Sequence, residues 1–124
     1  MKNYMEQKYQ IGNEYGSIMW DIEKLLNDIH KFKKRTFNVK NLALDNPFHG
    51  NEEYATTTDT TKPLIIVNLS KDLDKLIDGN HRLQKAMKLG IEKIEAYYLL
   101  FEEHSQYIVD FNENIYQNVI SHWR

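Results

Sequence analysis

The chain has 124 residues, with 16 Lys and Arg against 18 Asp and Glu, and no cysteine. The length suits one domain, and 41% hydrophobic with 27% charged residues allows a core and excludes wholesale disorder. Without cysteine there are no disulfides, thiolate metal sites or cysteine nucleophiles, and a net charge of −2 argues against a broad basic surface for nucleic acid. The longest apolar run, Ala96 to Phe101, is far short of the ~20 residues that span a bilayer. The start, Met1-Lys2-Asn3-Tyr4-Met5-Glu6, lacks a secretory apolar stretch. The expectation is a cytoplasmic protein with no membrane partner.

Residues 1–15 are polar with scattered tyrosines and read as an N-terminal arm or a short helix. Ser17 then offers an N-cap, and Ile18, Ile22, Leu25, Ile29 and Phe32 recur at helical spacing, with Leu26 widening the stripe. The basic knot Lys31, Lys33, Lys34 and Arg35 suits the carbonyl end of that helix, predicted over 17–34. Thr36-Phe37-Asn38-Val39 alternates like a short strand. Residues 45–62 read as a long loop, opened by Asn46-Pro47 and carrying a threonine run with no apolar face, and are expected to be the most mobile internal segment. Leu64-Ile65-Ile66-Val67-Asn68-Leu69 predicts a buried strand, and Lys75-Leu76-Ile77 its hairpin partner.

Asp78-Gly79-Asn80 breaks the second strand and opens a helix with Leu83, Ala86 and Met87 inward and Gly90 as its C′ glycine. Residues 91–101 predict a third strand with Ile94, Ala96, Tyr98 and Leu100 on one face. Tyr107, Ile108, Phe111, Ile115 and Val119 then predict one helix over about 103–121. The fold class is α+β, a small mixed sheet flanked by helices. The whole chain, 1–124, reads as a single domain: arm 1–15, N-terminal helix 16–35, core 36–101 and C-terminal helix 102–124.

The chemistry concentrates in Leu76-Ile77-Asp78-Gly79-Asn80-His81-Arg82-Leu83. A strand entering a glycine turn and then a helix aims backbone N–H groups and the positive helix end at one point, which suits phosphate. Gly79 lets the backbone approach a ligand with no Cβ in the way, and Asn80 and His81 add neutral donors. Arg82, expected to stand open at the helix start, adds a forked cation, and Lys85 extends the positive face one turn on. Asp78 stands where it could hold a metal ion or take a proton. A structural reading carries equal weight on these residues alone: Asp78 capping the helix, Gly79 serving the turn, Arg82 in a surface ion pair.

Pro63-Leu64-Ile65-Ile66-Val67, the hairpin, Leu76-Ile77-Asp78-Gly79-Asn80-His81-Arg82, then Lys85-Ala86, Leu89-Gly90-Ile91 and Ile94-Glu95-Ala96-Tyr97 resemble the ParB/sulfiredoxin-like domain, in its small single-domain branch. The correspondence runs over about residues 36–101 and is most specific around residues 79–82. The resemblance implies that Gly79, Asn80, His81 and Arg82 form a turn that binds nucleotide phosphates. The superfamily includes CTP-binding partition proteins, sulfiredoxins, a free-serine kinase and proteins labelled as nucleases or ATPases. Sulfiredoxins need a cysteine directly after the turn glycine, where this chain has Asn80, so their activity is excluded. Partition proteins carry Glu-Arg at the positions of Asn80 and His81 and follow the domain with a helix-turn-helix region. Here residues 102–124 leave room for one helix, which argues against sequence-specific DNA binding.

The resemblance thus implies a nucleotide or other phosphorylated ligand, ATP or CTP with Mg²⁺, and an NTP hydrolase or phosphotransferase activity. The catalytic candidates are Asp78, His81, Glu52 and Glu53; the ligand-binding candidates are Gly79, Asn80, His81, Arg82 and Lys85; Asp78 is the metal candidate. His49 stands beside Glu52 and Glu53 in the long loop, which reads first as a solvated segment and second as a source of a metal ligand or general base. The competing readings are a nuclease that holds a backbone phosphate in the same turn, and a non-enzymatic module with a protein partner, such as an immunity protein or phage inhibitor. The basic knot and the acidic group Glu102, Glu103, Asp110 and Glu113 read as solvated faces, His104 and His122 as bland, and Trp20 and Trp123 as core packing.

Overall fold

The computed structural model describes residues 8–46 and 63–123. The chain opens with a hairpin of β1 (Lys8–Asn13) and β2 (Gly16–Asp21), paired from Lys8 opposite Asp21 to Asn13 opposite Gly16. The helix α1 (Ile22–Asp28) follows, with a 3₁₀ turn at Ile29–Lys31. The N-terminal helix expected from residue 17 therefore starts five positions later, and part of the expected arm is strand. Its cap is Asp21, whose Oδ1 accepts from Lys24 N at 3.0 Å, and not Ser17. The physical reason lies in the spacing. A step of four residues, Ile18 to Ile22, is also two strand repeats, and Trp20 between them is buried with both.

β3 (Lys34–Asn38) contains residues 36–38 of the expected short strand and starts at the last residue of the expected helix, and α2 (Val39–Asp45) follows, a helix not anticipated. Asn38 caps α2 by accepting from Asn41 N at 3.0 Å, so Val39 begins a helix and does not end a strand. The expected strand–turn–strand is present as β4 (Leu64–Ser70) and β5 (Leu73–Asp78). The helix after Gly79 is α3 (Asn80–Lys88), with Gly90 at φ +74 just past its end, though Met87 points outward. β6 (Lys93–Leu99) completes a four-stranded sheet in the order β3-β6-β4-β5. β6 pairs antiparallel with β3 and parallel with β4, and β5 pairs antiparallel with β4, so the sheet is mixed. The fold is α+β.

Both faces of this sheet are covered. Leu64, Ile66, Leu76, Ile94 and Ala96 pack with Val39 and Leu42 of α2 and Leu83 and Ala86 of α3. Ile65, Val67, Leu69, Ile77 and Leu99 pack on the other side with Trp20, Ile22, Leu25 and the C-terminal segment. Double coverage explains the unbroken apolar run of β4. It also corrects the expected one-sided β6: Leu99 is fully buried in the opposite layer, while Leu100 lies outside the strand and is exposed.

The C-terminal segment is not one helix. It forms α4 (Phe101–His104), a 3₁₀ turn at Ser105–Tyr107 and α5 (Glu113–Ser121). Ile108 bridges to Trp20, and Val109 N donates to Met19 O at 2.8 Å, so this stretch is extended against β2. Asp110 then turns the chain at φ +51, and Asn112 caps α5 by accepting from Ile115 N. Among the described residues no helix is long and apolar enough to cross a membrane.

Candidate functional site

The site begins where β5 ends. Leu76 and Ile77, buried in opposite layers, fix the end of β5, and Asp78 stands opposite Ile65 of β4. Gly79 follows at φ +102, and Leu83 N closes the first turn of α3 onto Gly79 O at 2.9 Å. Asn80, His81 and Arg82 form that first turn, ahead of the first intrahelical bond, with Lys85 one turn further on. Residues 78–82 are half-buried, so the helix N-terminus is partly open to solvent as expected.

Two expectations need correction here. Arg82 does not stand open: its Nη2 donates to Asp78 Oδ2 and to Pro63 O, each at 3.1 Å, and both side chains are only 18% exposed. The arginine thereby ties the end of β5 to the start of β4, and Asp78 spends Oδ2 on that ion pair. Arg82 Nε is buried with no hydrogen-bond partner among the described residues. Gly79, in turn, is not bare toward a ligand on its Cβ side. A Cβ there would lie 2.5 Å from Leu64 Cδ2 and 2.8 Å from Arg82 Nη2, so the protein itself fills that space.

Asp78, Gly79, Asn80, His81, Arg82 and Lys85 are thus brought to one junction, whereas His49, Glu52 and Glu53 lie outside the described residues, as does 47–62 of the expected mobile loop. Among the described residues no group of three His, Asp or Glu side chains could hold a metal ion. Among the described residues, the carboxylate at this junction is that of Asp78, which is bound to Arg82.

Sequence reasoning missed what lies beside the ion pair. A hollow of about 350 Å³ is bounded by Leu26 and Ile29, by Pro63 and Ile65, by Tyr97, and by Asp78 and Arg82 themselves. The available signal was Leu26, an apolar residue that widened the α1 stripe beyond what the core uses and remains 40% exposed. Asn46 was also read only as a turn residue. It is buried, its Nδ2 donates to Leu42 O, and its Oδ1 accepts from Leu76 N, which pins the open edge of β5 to α2.

The remaining candidates are structural. His104 is fully buried; its Nδ1 accepts from Trp20 Nε1 at 3.1 Å, and its Nε2 donates to Asn68 O at 2.8 Å. Burial holds its pKa below the ordinary histidine range. His122 stacks on Tyr15, and Trp20 and Trp123 pack against the core as expected. Tyr98 donates to Asp74 Oδ1 at 2.6 Å, and burial, then Asp74, pushes its pKa up to about 12. Lys31, Lys33, Lys34 and Arg35 are exposed, with Lys34 near Glu95 and the Arg35 guanidinium 4.1 Å from the Tyr98 ring centroid. No protein-family model, curated protein or solved structure matches the chain.

Proposed function

We propose that the chain binds a phosphorylated ligand, first of all a nucleoside triphosphate, at the β5–Gly79–α3 junction. The observation that carries this reading is the convergence at one half-open point of a nine-residue helix start, Arg82 and an adjoining hollow. The amides of the first turn and the positive helix end favour an anion there. Because Asp78 neutralises much of Arg82, the attraction rests mainly on the helix end, and Arg82 contributes a donor held in position. The resemblance of this turn to ParB/sulfiredoxin-like domains points to the same ligand class, and to ATP or CTP within it.

Mg²⁺ in this reading arrives on the phosphates, since that ion is ordinarily held by one or two carboxylates together with substrate oxygens. Asp78 is the carboxylate at the junction, and His81 is the candidate for moving a proton if the ligand is turned over.

The test is a thermal-shift panel of ATP, CTP, GTP, UTP and inorganic tripolyphosphate at millimolar concentration, with and without Mg²⁺. A ligand at a hundred times its Kd stabilises by about 2.7 kcal/mol, which is readily seen. Arg82→Lys keeps a partner for Asp78 but loses the planar fork, and is expected to weaken binding while still folding. Absence of a shift with every compound would overturn the proposal.

A further inference from the structure

The hollow beside the Asp78–Arg82 pair is walled by apolar groups that the fold leaves partly open. Leu26 is 40% exposed, and Ile29, Pro63 and Tyr97 are half-buried, with Ile29 and Tyr97 packed against the core. At about 350 Å³ the hollow lies within the ordinary range of small-molecule sites, which combine apolar walls with a few placed polar groups. Here the polar groups are Asp78 and Arg82, the same residues that flank the phosphate turn.

We infer that this hollow receives the flat, apolar ring of the phosphorylated ligand, stacked on Tyr97 between Leu26 and Ile29, with an in-plane acceptor of the ring turned to Arg82. The inference rests on the phosphate site proposed above and adds to it the place of the ligand's ring and the residues that select it. The ligand is an organic phosphate carrying a heteroaromatic ring, in preference to an inorganic polyphosphate or a sugar phosphate. Aromatic stacking and apolar burial supply the selectivity, and Arg82 links the two halves of the site.

Calorimetric titration with ATP, CTP, adenosine, cytidine and inorganic tripolyphosphate tests this. At least one nucleoside triphosphate is expected to bind ten-fold or more tightly than tripolyphosphate. Tyr97→Ala is expected to weaken that nucleotide five- to twenty-fold and leave tripolyphosphate unchanged, with Tyr97→Phe close to the parent. Because Tyr97 lies in the sheet, Leu26→Gln, at an exposed helix position, repeats the test if Tyr97→Ala does not fold. Equal affinity for nucleotides and tripolyphosphate, or equal weakening of both by these variants, would overturn the ring pocket and leave the phosphate site standing. Binding of a free nucleoside without tripolyphosphate would do the reverse. Binding of none of the five would remove both.

Discussion

Gly79 and Gly90 both adopt positive φ, at +102 and +74, yet their surroundings differ. Around a Cβ at Gly90 there is nothing within 4 Å, whereas one at Gly79 would press on Leu64 and on the Arg82 guanidinium. Leu64 is fully buried, and Arg82 is held by Asp78 and Pro63, so neither yields cheaply. Gly90→Ala is therefore expected to cost about 1 kcal/mol, the left-handed backbone penalty alone. Gly79→Ala should cost about 2–3 kcal/mol, because the contact adds to that penalty. Urea denaturation of the two variants checks this, and equal losses would mean that the junction is looser than the geometry implies.

The N-terminal hairpin is joined to the rest of the protein by packing and by the buried Trp20–His104–Asn68 hydrogen bonds. His104 needs a bare Nδ1 to accept from Trp20, and an imidazolium has a proton on both nitrogens. Burial, the largest influence, lowers its pKa, while the Asn68 carbonyl and the charges of Glu102 and Glu103 pull it back. The unfolded chain, with a histidine pKa of about 6.5, therefore binds this proton more readily than the folded one. Where that holds, stability rises with pH. The contribution is complete above about pH 6.5 and declines as pH falls from there toward the lower folded value. Urea midpoints measured from pH 7.5 to 5 should fall on acidification, and the fall should be shallower in His104→Phe. The same slope in both proteins would show that His104 is not the group responsible.

Across the whole molecule the sheet is sandwiched, with α2 and α3 on one face and the hairpin, α1 and the C-terminal segment on the other. Ile65 and Ile66, neighbours on β4, are each 1% exposed and point into different layers. Ile65→Ala and Ile66→Ala should therefore each cost about 2–5 kcal/mol. On a sheet with one wet face, the outward residue of the pair would cost less than about 0.5 kcal/mol. Chemical denaturation of both variants decides between these arrangements.

The sequence by itself determined β4, β5, the Gly79 break, α3 and the position of β6, because each rests on local signals: an apolar run, a turn glycine, a C′ glycine. It also brought Asp78, Gly79, Asn80, His81, Arg82 and Lys85 to one junction, since they follow one another in the chain. Only the tertiary structure decided the rest. Ile18 and Ile22 satisfy strand and helix spacing alike, and pairing with β1 and contact with Ile108 selected the strand for Ile18. Tyr107, Ile108 and Phe111 were spaced for a helix that the extended contact with β2 interrupts. The partners of Arg82, and the hollow formed with Leu26, Ile29 and Tyr97, join residues distant in the chain. No periodicity along one segment reports where two such segments meet.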